Sequence, residues 1–322
     1  MTKRLKICIT ATCVAVFLSI FILATFFDYQ ISEAIARLSP GKYLSNNPFG
    51  NFFEVVGEVP MYLVGAFAVA NLGRASLTLK NRILAFSLFA LCIAGGIFAY
   101  TLMTLRATEY IYEHANALDK FEKIKTLLIL GYAVASAGLT ALTVYLVAKI
   151  PQKHLGGLIV FSVAVLLAIA IAQGGVQSIK VFMGRQRYRT MKVLEYHGLN
   201  NLVDYTKWFE INGKRAVTEE MLSYGIATDG YKSFPSGHTC SWALIYAFAF
   251  IPDFLSISEK KRIFTKSLLM GFATLTTLML AYTRILVGAH FATDVLFAGG
   301  WTFFSIVFSK WLCGKLIRGK TK

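Results

Sequence analysis

Charge is what this sequence has least of. Only 16% of its 322 residues are Asp, Glu, Lys or Arg, against about 25% in an ordinary soluble domain, which excludes a water-soluble globular protein. Proline is scarce as well, at 6 residues, and no Pro-rich linker, low-complexity tract or internal repeat divides the chain. The five cysteines, Cys8, Cys13, Cys92, Cys240 and Cys313, form no CxxC pair. Most of them lie inside apolar runs, so neither a zinc site nor a disulfide framework is expected. Acidic residues number 17 against 33 basic ones, a net charge of +16. In a soluble protein that excess would point to nucleic acid. In so apolar a chain it reads as basic flanks against anionic lipid headgroups, with no nucleic-acid partner.

What is abundant is apolar surface: 56% of the residues are hydrophobic and the mean hydropathy is +0.58. A membrane-spanning helix needs about 20 mostly apolar residues. Such stretches fall at 7–27, 56–73, 83–105, 126–148, 155–179, 237–255, 267–283 and 290–309. The expected fold is therefore an all-α polytopic bundle of about eight transmembrane helices. The second stretch is short and follows Glu54 and Glu58, so six or seven spans remain if it lies in the interface. Lys3, Arg4 and Lys6 before the first run resemble a signal peptide, but the run is long and no small-x-small site follows it. With the N-terminus inside, 17 Lys and Arg residues fall on inner flanks and 6 in the two short outer loops. That ratio predicts a multi-pass inner-membrane protein with both termini cytoplasmic. A long segment, 181–235, lies on the outer side, and long loops cross largely regardless of charge.

Three blocks carry chemistry, and this topology brings all of them to the outer face. The first runs from Lys180 to Arg187. The second is Phe234-Pro235-Ser236-Gly237-His238. The third is Thr283-Arg284, then His290 after five residues and Asp294 after three more. Arginine offers a planar fork of donors matched to phosphate oxygens, and lysine a compact charge. Lys180, Arg187 and Arg284 together offset the charge on the oxygens of a phosphoryl group in transfer. Ser236 and Gly237 precede a helix whose free N–H groups favour an anion. On a helix, His290 and Asp294 would share a face. The carboxylate would then hold one ring N–H and leave the other nitrogen as a nucleophile. His238 is the corresponding general acid. Two histidines in opposite roles need no metal, and no cofactor is expected.

These blocks resemble the type 2 phosphatidic acid phosphatase superfamily, which includes the vanadium haloperoxidases. Its pattern is Lys-x6-Arg-Pro, then Pro-Ser-Gly-His, then Ser-Arg-x5-His-x3-Asp. The resemblance covers 180–294 and implies a six-helix core. That gives an N-terminal transmembrane extension at 1–82 and a phosphatase core at 83–322, with the outer loop at 181–235. It also implies phosphate binding by Lys180, Arg187, Ser236, Gly237 and Arg284, with His238 as acid, His290 as nucleophile and Asp294 as its orienting partner. Tyr188 stands where the family has Pro, and Thr283 where it has Ser.

The expected activity is metal-independent dephosphorylation of a lipid phosphate or pyrophosphate at the outer membrane face through a phosphohistidine. A lipid phosphotransferase would share that intermediate, and a transporter of an anionic solute would use similar charges near the midplane. Blander readings stand beside these. Asp294 would otherwise be a buried pair with Arg284 or a neighbouring hydroxyl. Arg185 and Arg189 would serve headgroups or be solvated, Glu54 and Glu58 would be interfacial, and His114, His154 and His197 would be satisfied interfacial histidines.

Overall fold

The structure is a computed structural model that describes residues 3–39 and 47–318. Lys42, Lys320 and Lys322, counted among the basic flanks, lie outside them. The described residues form helices and turns with no strand. Twelve α-helices follow in order: α1 Lys3–Ala36, α2 Pro48–Val56, α3 Val59–Ser76, α4 Arg82–His114, α5 Leu118–Ala148, α6 Leu155–Met183, α7 Tyr188–Tyr196, α8 Glu219–Ser223, α9 Gly237–Ala243, α10 Tyr246–Phe250, α11 Glu259–Leu286 and α12 Ala292–Arg318.

Among the described residues, seven helical stretches are long and apolar enough to cross a membrane, rather than eight. The stretch expected at 237–255 is broken into α9, α10 and a 3-10 turn, Ile251–Phe254. Ile245, Ala247 and Phe248 donate backbone N–H bonds to Trp242, Leu244 and Ile245. These three-residue returns tighten the helix, and Pro252 removes a further donor. The weak second stretch instead becomes long and apolar enough to span, as Pro48–Ser76, made of α2 and α3. The first span also runs past its expected end at residue 27 to Ala36, bending at Phe27. Asp28 and Ser32, which look like the polar end of an apolar run, are 2% and 1% exposed. They continue the helix because they have buried partners.

Two compact units are interleaved along the chain. One comprises Met1–Gly50, Val176–Ser236 and Ala281–Ala298; the other comprises Asn51–Gly175, Gly237–Leu280 and Gly299–Lys322. In the first, Ala24 of α1 packs with Ile285, Ala292 and Val295 around the junction of α11 and α12. The segment 181–235 has its own core of Val193, Leu194, Met221, Ile226 and Tyr231. In the second unit, α3 packs on α4 and α5. Arg74 there donates to the Val147 carbonyl at 2.9 Å and to Gln152 Oε1 at 3.0 Å. Outward rows such as Ile83, Phe86, Leu91 and Phe98 on α4 are exposed. Water would penalise such a surface and hydrocarbon would not.

Candidate active site

The site is built around the turn between α11 and α12. Gly288 takes φ +62° there, a left-handed conformation that glycine adopts without steric cost. The turn lets the Ala289 and His290 N–H groups return to the Arg284 carbonyl at 3.0 and 3.2 Å, closing the end of α11. His290 therefore sits in the turn and not on a helix, and it is 2% exposed. Asp294 lies in the first turn of α12. Its Oδ2 accepts the Phe291 N–H at 2.8 Å, as the third helical residue does in a capping box.

This geometry alters the expected partnership of His290 and Asp294. The His290 Nδ1 lies 2.6 Å from the Ser233 carbonyl oxygen, and 3.7 Å from Asp294 Oδ2. A carbonyl only accepts, so Nδ1 carries the proton and Nε2 the lone pair. Asp294 acts one step further back. It accepts the Ser233 hydroxyl at 2.5 Å and Arg185 Nη1 at 2.6 Å. The buried pairing expected for Asp294 thus exists, with Arg185 and Ser233 rather than Arg284.

Arg185 is neither solvated nor at a headgroup; it is 1% exposed. Its Nε donates to the Thr206 carbonyl at 2.9 Å, and its Nη1 to Thr293 Oγ1 at 3.0 Å. Its Nη2 donates to Asp28 Oδ2 at 2.7 Å. The guanidinium lies 4.1 Å from the Phe291 ring centroid, so an aromatic face covers it. Arg185 lies inside the first motif block but was given no structural role there, and Asp28, Thr206 and Ser233 carried no signal in the sequence motifs. The one available hint was an ionisable residue, Asp28, beside an apolar run.

The other expected phosphate ligands in this unit take four positions. Lys180 is on the last turn of α6. Arg187 caps α7 and pairs with Asp229 at 2.6 Å, and Arg189 reaches the same carboxylate at 3.8 Å. Tyr188 is the first residue of α7, a position where a proline's missing N–H costs nothing. Its ring packs instead on Tyr29 and Phe291. Ser236 donates its N–H to the Asp294 carbonyl at 3.2 Å. Arg284 and Thr283 are fully buried, and Arg284 donates to the Gly50 carbonyl at 2.5 Å.

Burial pushes the His290 imidazole down from 6.5 to about 4; the charges of Arg187 and Lys180 push the same way, and Asp294 opposes them. The ring is therefore neutral and nucleophilic at neutral pH. With substrate ionisation subtracted, kcat/KM is expected to stay flat on the acid side until about pH 4, which a pH–rate profile checks. The folded-state value lies below the unfolded one. The associated stability is therefore complete above pH 6.5 and lost as pH falls towards 4.

Gly237 and His238 open α9 in the second unit. There a Cβ on Gly57 would come within 2.5 Å of His238 Cδ2, so only glycine fits beside that ring. The Tyr110 ring packs at a tilt, 5.1 Å from His238, and its hydroxyl donates to Glu58 Oε1 at 3.3 Å. Arg106 pairs with Glu58 at 3.5 Å and with Glu109. Glu54 is 6% exposed and lies 3.5 Å from His114. Glu58, Arg106, Glu109 and Tyr110 thus form one polar cluster, and His114 is partnered by Glu54. His154 accepts the Ser256 N–H, and His197 stacks on Tyr224. A cavity of about 820 Å³ between Leu146, Pro151, Phe248 and Phe272 contains none of the expected site residues.

Neither a curated protein nor a solved structure matches the chain. Residues 161–318 do match the sequence model of the PAP2 superfamily, a region that contains Lys180, Arg187, Ser236, Gly237, His238, Arg284, His290 and Asp294. Over residues 161–318 the chain belongs to the PAP2 superfamily.

Proposed function

We propose that this protein is a metal-independent phosphatase of the membrane, releasing phosphate from a lipid phosphate or pyrophosphate at the outer face. The observation that carries the reading is the 2.6 Å contact of His290 Nδ1 with the Ser233 carbonyl. It fixes the tautomer that leaves Nε2 basic. Family membership supports phosphoester hydrolysis in general. The seven long apolar stretches favour a substrate that is itself anchored in a bilayer.

In this reading the Nε2 lone pair attacks phosphorus and an N–P bond forms as the bond to the leaving oxygen breaks. His238 gives that oxygen its proton. Water then attacks the phosphohistidine, returning a proton to His238, and the N–P bond breaks to release phosphate. Lys180, Arg187 and Arg284 hold the phosphoryl oxygens and cancel their charge during both steps.

The test is phosphate release from a panel of lipid monophosphates and pyrophosphates in the presence of chelator, with rapid quenching to trap the phosphoenzyme. The expected result is turnover of at least one lipid and a base-stable, acid-labile phosphate on His290. Loss of turnover in chelator would overturn metal independence. Delivery of phosphate to an acceptor lipid, in place of water, would make the protein a phosphotransferase.

A further inference from the structure

A carboxylate outside the region matching the family completes the support of His290. Asp28 belongs to α1, whereas the family match begins at residue 161. One of its oxygens accepts the Thr293 N–H at 2.8 Å, capping α12. The other accepts Arg185 Nη2 at 2.7 Å and the Thr293 hydroxyl at 2.5 Å. Ser32, one turn along α1, accepts the Ala292 N–H at 3.2 Å. Thus α1 satisfies two of the free N–H groups that begin α12, the helix carrying Asp294.

The charges in this cluster matter more than the caps. Arg185 lies between two carboxylates, Asp28 at 2.7 Å and Asp294 at 2.6 Å. All three side chains are at most 2% exposed. Both Asp28 oxygens accept hydrogen bonds, as a carboxylate does, and in that form one positive and two negative charges leave a net charge of −1 behind the Ser233 bridge to His290. Without Asp28 the group would be neutral, and Arg185 would be free to turn its whole charge on Asp294. Attack on phosphorus turns the neutral imidazole into a cationic phosphoimidazolium. A fixed negative charge in a dry site stabilises that cation as it forms.

We propose that Asp28 is a positioning residue for the reaction at His290: it orients Arg185 and Asp294 and supplies the negative charge that favours the phosphohistidine. It touches neither substrate nor His290, and its role rests on the reading that His290 is the nucleophile. The charge effect appears in the phosphorylation step, so it separates from substrate binding.

The test is single-turnover phosphorylation of the full-length protein in detergent, measured per folded molecule, for the native chain, Asp28→Asn and Asp28→Glu. Asp28→Asn is expected to slow phosphorylation by about 10- to 100-fold with KM changed less than about threefold, since only the transition state gains from the charge. Vanadate, a mimic of five-coordinate phosphorus, should lose affinity in parallel while inorganic phosphate does not. Asp28→Glu keeps the charge and should recover part of the rate. Should Asp28→Asn fail to fold, Asp28→Glu carries the test, with a smaller slowing expected from the displaced carboxylate. Native phosphorylation rates in every folded variant would overturn the proposal while leaving the nucleophile in place. Absence of phosphate on His290 in the native enzyme would overturn both.

Discussion

Replacing His290 with alanine is expected to lower phosphate release by about four orders of magnitude or more, the range seen when a nucleophile is removed from an otherwise intact site. In the proposed mechanism the loss falls on kcat, because Lys180, Arg187 and Arg284 would still hold the phosphate. His290 is buried without a charge, and its ring is held through Nδ1 by the Ser233 carbonyl. The alanine variant leaves that carbonyl without its donor, at a cost of about 1–3 kcal/mol. It should therefore fold while remaining inactive. Phosphate release and size-exclusion behaviour in detergent check both halves. Release within tenfold of the native rate from a monodisperse alanine variant would remove His290 from the mechanism.

A loss of stability of about 3–5 kcal/mol is expected from Arg185→Met, the range for a buried ion pair deprived of one partner. Methionine matches the length of the arginine stem and fills the space against Phe291. It cannot neutralise Asp28 and Asp294, which are 2% and 0% exposed. Those carboxylates would then share a dry site with no cation between them. The partly exposed pair of Arg215 with Asp204, whose side chains are 28% and 45% exposed, provides the control. Arg215→Met should cost less than about 1 kcal/mol, as solvent screens such pairs. Thermal unfolding of both variants in the same detergent makes the comparison. Equal small losses would show that the Asp28–Arg185–Asp294 cluster does not hold the fold.

Much of this was legible in the order of residues. Helicity, the apolar spans and the three blocks from Lys180 to Asp294 follow from composition and spacing, because hydrophobic runs and fixed motif intervals are local properties. The break in 237–255 was not legible. Its composition suits a span, and the tightening at Leu244 and Ile245 arises from backbone hydrogen bonds that composition does not encode. Tyr110 and Gly57 were invisible for another reason: their proximity to His238 joins residues far apart in the chain.

The sequence by itself determined the chemistry: two histidines, a carboxylate and cationic residues in the order and spacing of the PAP2 superfamily, on a chain too apolar for water. Tertiary structure alone decided how His290 is held. It put the Ser233 carbonyl, and not Asp294, on Nδ1, and it set Arg185 between Asp294 and an aspartate 157 positions away. Motif spacing reports groups that must meet the same phosphate. The second layer is fixed by burial: once Arg185 leaves water it requires partners within hydrogen-bond reach, and α1 supplies one.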